Sequence, residues 1–114
     1  MLCHNLTAVT IPTSAKNISC QLFSDCYSLT SITIPEGVTS IDHSAFYRCD
    51  SLTNIVISDS VTNIGDHAFC YCNNLTSITF SGTMAQWSAI TFGTSWDENT
   101  ASYTITCTDG TISK

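Results

Sequence analysis

The sequence predicts a β-rich α/β solenoid, a right-handed stack of similar coils with a 23-residue period and short helical turns on one flank. Three observations lead there. Leucine returns at Leu6, Leu29, Leu52 and Leu75, always 23 residues apart. Six further apolar columns keep the same step. A single coil, finally, has too little apolar surface to bury on its own, so it is stable only when neighbours stack on it.

The columns place the elements within each coil. Val9, Ile32, Ile55 and Ile78 are each followed two residues later by Ile11, Ile34, Ile57 and Phe80. That alternation is a short strand with one buried face. Pro35-Glu36-Gly37 forms the bend after it. Ala15, Val38 and Val61, with Ile18, Ile41 and Ile64, mark a second short strand. The period then changes. Ala45, Phe46 and Cys49 have the spacing of one or two helical turns, and Phe23, Phe46, Phe69 and Phe92 form the apolar column of that flank. Asp42 precedes the turn as its N-cap, and Asp66 repeats it one coil later. Cys3, Cys26, Cys49 and Cys72 are the last column. A fully buried Ile or Leu contributes about 1.5–3 kcal/mol, and each column member touches two interfaces.

The pattern divides the chain into three parts: residues 1–5 as the tail of a truncated preceding repeat, 6–80 as the solenoid, and 81–114 as a capping segment. Cys3 already stands in the cysteine column, which implies preceding repeats beyond residue 1. In the capping segment Met84 takes the valine position and Trp87 the isoleucine position. Thr83-Met84-Ala85-Gln86 fits a capping box, so a short helix begins there. Met84, Trp87 and Ile90 share its apolar face. Residues 93–101 read as an irregular loop, residues 103–107 as a final strand, and Asp109-Gly110 as a hairpin turn.

The segments LTSITIPEGVTSIDHSAFYRC and LTNIVISDSVTNIGDHAFCYC resemble the BspA-like subclass of leucine-rich repeats. The resemblance covers residues 1 to about 80, and SGTMAQWSAITFGTSW with SYTITCTDGTI is similar to the closing segment of such proteins from gut bacteria. It implies a leucine-rich repeat solenoid displayed at the cell surface or outside the cell, with adhesion or protein binding as its role.

Composition narrows the function classes. Nine acids against three cations give a net charge of −6, which disfavours nucleic acid as a partner. No stretch is long and apolar enough to span a bilayer, and the start lacks the features of a signal peptide. The seven cysteines are Cys3, Cys20, Cys26, Cys49, Cys70, Cys72 and Cys107. Those in the repeat column read as small buried apolar residues. Cys70-Tyr71-Cys72 lacks the spacing of a zinc site, and an odd count argues against a complete disulfide framework. No metal or cofactor is expected.

Cys20, His43 and Asp66 share one column, so stacking sets a thiol, an imidazole and a carboxylate in a row. A triad also needs contacts near 3 Å, an oxyanion hole and a pocket. The bland reading, exposed variable positions, is preferred, and a cysteine-dependent enzyme is the remote alternative. Asn5, Asn17 and Asn74 begin glycosylation sequons, but each middle residue belongs to a core column. Asp97-Glu98-Asn99 reads as a solvated acidic turn rather than a calcium loop.

What remains is a surface. The outward strand positions collect Thr7, Thr30, Thr53 and Thr76; Ser31, Asn54 and Ser77; and Thr10, Thr33, Val56 and Thr79. Short, stiff Thr side chains lose little entropy on contact. The expectation is a non-enzymatic interaction module binding a protein or glycan through this face. The alternative is a structural spacer, in which Thr merely favours exposed strand positions.

Overall fold

The computed structural model describes residues 7–20 and 23–113. Readings on the truncated tail, Cys3, the Asn5 sequon, Leu6 and Lys114 lie outside the described residues. In chain order the elements are β1 (Ala8–Thr10), β2 (Asn17–Ile18), β3 (Ser31–Ile34), β4 (Ser40–Ile41), β5 (Asn54–Ile57), β6 (Asn63–Ile64) and β7 (Ser77–Phe80). Then follow α1 (Met84–Ser88), β8 (Thr91–Phe92), β9 (Thr104–Cys107) and β10 (Gly110–Ser113).

The strands assemble into the stack that the repeat requires. One sheet has six strands in the order β1-β3-β5-β7-β9-β10, and the other has four, β2-β4-β6-β8. Every coil-to-coil pair is parallel and keeps equivalent residues together: Val9 faces Ile32, Ile32 faces Ile55, and Ile55 faces Ile78. The columns thus become continuous ladders between the sheets. Leu29, Val38, Phe46, Leu52, Ile55, Ile57, Phe69 and Leu75 are fully buried. The strands alternate buried and open positions, as Ser31–Ile34 does, because side chains on a pleated backbone point to opposite faces.

The third flank differs from the expected helical turns. It is built from single turns joined coil to coil. Ala45, Tyr47 and Cys49 donate their amides three residues back, to Asp42, Ser44 and Phe46. The intervening amides of Ser44, Phe46 and Arg48 instead donate to Asp66, Ala68 and Cys70 of the next coil, at 2.8–2.9 Å. Alternation of this kind requires left-handed backbone twice per coil. Ser44, His67 and Ser95 hold one such position, and Asp25, Arg48, Tyr71 and Asn99 the other, all with φ between 53 and 63°. Since no α-helix forms here, Asp42 and Asp66 do not cap one. The Asp42 carboxylate accepts from Asn17 and Ser40 at 3.3 Å each, and Asp66 accepts the Thr94 amide at 2.8 Å.

The 23-residue step changes after residue 80. Ile64 pairs with Phe92, a step of five residues more, matching the length of α1. Three expectations are corrected by this insertion. Phe92 belongs with Ile64 and not with the phenylalanine column; Trp96 follows the alanine column, accepting the Phe69 amide at 2.8 Å as Ala45 and Ala68 accept those of Phe23 and Phe46. Met84 and Trp87 are part of the inserted helix and do not replace Val61 and Ile64. Residues 93–101 do not form an irregular loop, because His67, Phe69 and Tyr71 donate to Thr94, Trp96 and Glu98 as the flank of another coil.

The helix and hairpin appear where the sequence puts them. Thr83 and Gln86 form both bonds of the capping box. Trp87 and Ile90 are buried, with Met84 partly so. The hairpin turn sits on Thr108 and Asp109, while Gly110 already pairs with Cys107. Pairing of β10 covers the outer edge of β9, which would otherwise present unpaired backbone groups.

Candidate interaction surface

The outward side of the six-stranded sheet carries the residues singled out by sequence. Thr33, Asn54 and Thr79 are exposed, and Ser31, Val56 and Ser77 are half-buried. Parallel register lines up Ser31, Asn54 and Ser77 in one row and Thr33, Val56 and Thr79 in the next. Successive strands lie roughly 4.8 Å apart, so each row repeats at that spacing. None of the six strands contains a charged residue. The side chain of Thr10 is outside what the structure describes.

The expected site residues divide into two groups. Thr30, Thr53 and Thr76 each donate the hydroxyl to a threonine carbonyl of the preceding coil, Thr7, Thr30 and Thr53, at 3.2–3.3 Å. Their protons are therefore committed to holding coils together, and only lone pairs face water. Thr39 and Thr62 repeat the device beside the second sheet. Ser31, Thr33, Asn54, Ser77 and Thr79 make no side-chain hydrogen bond among the described residues, so both donor and acceptor capacity remain open.

Four residues of the same face were missed by sequence reasoning. Thr104 pairs with Ser77 and Thr106 with Thr79, extending both rows by one strand. Thr111 and Ser113 extend them again across the hairpin. All four are exposed. The alternation in Tyr103-Thr104-Ile105-Thr106-Cys107 signalled the strand, but the helix insertion broke the fixed step that would have shown its register.

Nothing in the described residues brings Cys20, His43 and Asp66 together chemically. All three are exposed, none hydrogen-bonds another, and Asp66 is held by the Thr94 amide. Burial, followed by nearby Glu98, pushes the Cys70 thiol up from its ordinary range; burial and then Asp109 do the same for Cys107. Such thiols are poor nucleophiles. Among the described residues no three of His, Cys, Asp and Glu converge on a metal-sized site. Asn17 and Asn74 of the sequons are exposed, and their amides donate to the Asp42 carboxylate and the Asp50 carbonyl.

The acidic turn differs from its expected solvated form. Asp97 is half-buried and accepts the Tyr103 hydroxyl at 2.6 Å. Burial first, and this carboxylate second, push the Tyr103 phenol well above its ordinary range. A shallow cleft of about 170 Å³ lies apart from the threonine face, between Asp59, Val61 and Thr62 on one side and Gln86, Ala89 and Ile90 on the other. Among the described residues no helix is long and apolar enough to cross a membrane.

The comparisons with known proteins agree with the coil geometry. The model of the BspA type leucine rich repeat region matches residues 1–112 in six copies. A solved leucine rich cell surface protein from Faecalibacterium prausnitzii A2-165 is 41% identical, with a TM-score of 0.70. That match covers 71% of this chain and 21% of the other, so the chain corresponds to about a fifth of that protein's length. No curated protein matches the chain. Repeating columns, in-register parallel strands and a family match over nearly the whole length lead to one conclusion: the chain belongs to the BspA-type leucine-rich repeat family.

Proposed function

We propose that this chain is a non-enzymatic interaction module of a protein displayed at the cell surface, and that it binds a protein or glycan ligand through the outward face of the six-stranded sheet. The observation that carries this reading is the face itself: two rows of short, uncharged side chains, polar except at Val56, with open hydroxyls at Ser31, Thr33, Ser77, Thr79, Thr104 and Thr106. Extended sheet faces of repeat arrays suit broad, shallow contact with a partner. The likeness to a solved cell surface protein supports the location.

The bonds of Thr30, Thr53 and Thr76 to neighbouring coils favour a second reading, a structural spacer in which threonine serves the stack. One experiment separates the two. The wild-type chain and a Thr33→Lys, Thr79→Lys, Thr106→Lys variant are compared for retention on glycan arrays, extracellular-matrix proteins and whole cells. An interaction module loses about tenfold or more in apparent affinity, since each buried unpaired charge opposes contact. Equal retention of both chains, or none for the wild type, supports the spacer.

A further inference from the structure

The cysteine column holds two thiols that neither reading of the surface uses. Cys49 and Cys72 occupy equivalent places in successive coils and are both fully buried and free. Their surroundings are copies of each other. The Cys49 thiol donates to the Phe23 carbonyl and the Cys72 thiol to the Phe46 carbonyl, each at 3.1 Å. Adjacent coils lie at strand spacing, roughly 4.8 Å, which falls inside the Cα separation of roughly 4.4–6.8 Å that a disulfide spans. The two side chains also meet: contact with Cys49, more than burial, raises the Cys72 thiol well above its ordinary range. The next member of the column, Cys26, is already disulfide-bonded, so its sulfur is taken. The expectation that the described column cysteines are all free thiols is corrected at that residue.

We propose that Cys49 and Cys72 are a pre-positioned dithiol that closes to a disulfide between neighbouring coils when a disulfide-bearing oxidant is supplied. One thiolate attacks the oxidant's disulfide, forming a mixed disulfide and expelling one thiol. The second cysteine then attacks the protein sulfur, closing the Cys49–Cys72 bond and expelling the other thiol. Two S–H bonds are lost from the protein, and the oxidant's two sulfurs leave as two thiols. The native hydrogen bonds do not forbid this. The Phe23 carbonyl also accepts the Cys26 amide at 3.2 Å, and the Phe46 carbonyl the Cys49 amide at 3.3 Å, so neither acceptor is orphaned when the thiol proton goes. Both sulfurs are sealed from solvent, so closure takes place during folding or through local opening of the flank.

The test uses the whole chain with glutathione disulfide as the oxidant, in two arms: folded protein, and protein refolding from the reduced, unfolded state. Products are unfolded, alkylated and cleaved before aspartate, which places Cys49 in a fragment of residues 42–49 and Cys72 in one of residues 66–96. The expected result, in either arm, is a crosslinked pair of these fragments that survives in the Cys70→Ser variant and disappears in Cys72→Ser. The unfolding midpoint rises on oxidation and returns on reduction. Full alkylation of Cys49 and Cys72 in both arms overturns the proposal. A crosslink that vanishes in Cys70→Ser, or one joining Cys49 to Cys26, overturns it equally.

Discussion

The middle coils and the closing coil solve the same burial problem by opposite means. In the middle, like stacks on like. The rings of Phe23, Phe46 and Phe69 lie nearly parallel, with centroids 5.3 and 5.2 Å apart and interplanar angles of 10 and 2°. At the closing coil Phe92 and Trp96 stack at 4.6 Å and 30°, but the other rings meet at steep or tilted angles. Phe80 and Trp87 cross at 71°, Trp87 and Trp96 at 63°, Trp96 and Tyr103 at 54°. A ladder rung is shaped to be covered by an identical rung. The last rung has no identical successor, so side chains of different size cover it from several directions. The added helix supplies Trp87, and the hairpin supplies the strand that covers the sheet edge. Repetition makes the column; departure from repetition ends it.

The largest effect is expected where repetition is strictest. Phe46 is fully buried with a ring stacked on each side. Phe46→Ala should cost about 3–5 kcal/mol, the range for emptying a buried phenylalanine site, measured by urea unfolding. Stacked neighbours of fixed register cannot move in to refill the space. Trp96→Ala removes a larger side chain, but Trp96 is only half-buried and its neighbours meet it at varied angles. Its loss should be smaller than that at Phe46. A Trp96 cost equal to or above the Phe46 cost would erase the distinction between the two regions.

Tyr103 tests how the closing coil is fastened. Its hydroxyl donates to the Asp97 carboxylate at 2.6 Å. Tyr103→Phe should lose about 1.5–3 kcal/mol, typical of a hydrogen bond to a charged group. The bond also gives the protein an alkaline limit. The phenol is raised from the ordinary value of 10.0 by burial and then by Asp97. Above that value the unfolded chain releases the proton while the folded one keeps it, so folding stability falls as pH rises. The contribution is complete below about pH 10 and declines above it until the folded phenol itself ionises. Unfolding midpoints followed with tyrosinate absorbance should show that decline in the wild type and a shallower one in Tyr103→Phe. Equal slopes would detach Tyr103 from the fastening.

A smaller loss is expected at the helix start. The Met84 amide donates to the Asp109 carboxylate at 2.8 Å, from the hairpin turn, while Thr83 serves the Gln86 amide at 3.1 Å. Asp109→Ala should cost about 1 kcal/mol, as loss of a helix cap does. Thr83→Ala should cost about the same, and the two losses should add, because different donors are served. A double variant no worse than either single one would mean that helix and hairpin detach together once one cap is lost.

The middle coils were legible in the sequence to the level of strand register, and the closing coil was not. A fixed step turns residue numbers into neighbours: Ile32 beside Ile55 follows from arithmetic and stacking. Five inserted residues removed that step, so Phe92 fell beside Ile64 rather than in the phenylalanine column. The capping box stayed readable because it is local, whereas the Asp109 cap joins residues 25 apart without a repeat to signal it. The flank turns were misread for another reason. Ala45, Phe46 and Cys49 match helical spacing, but the intervening amides bond across coils, which only stacked neighbours permit. The threonine face was visible as letters; which hydroxyls were already committed depended on carbonyls one coil away.

The smallest effect concerns the left-handed positions of that flank. Arg48 has φ of 61° and is exposed; Asn99 has φ of 59° at the equivalent place in the closing coil. A left-handed backbone costs an ordinary L-residue about 1–2 kcal/mol, but asparagine adopts it routinely. Glycine removes the steric cost and adds about 0.5–1 kcal/mol through the freedom it regains on unfolding. Arg48→Gly should therefore be neutral or stabilise by up to about 1 kcal/mol. Asn99→Gly should give no gain, and Tyr71→Gly should lose, because the Tyr71 ring contacts Tyr47 at 5.5 Å. Urea midpoints order the three variants. Destabilisation at Arg48 as large as that at Tyr71 would show that the arginine side chain, rather than its backbone, holds the middle flank in place.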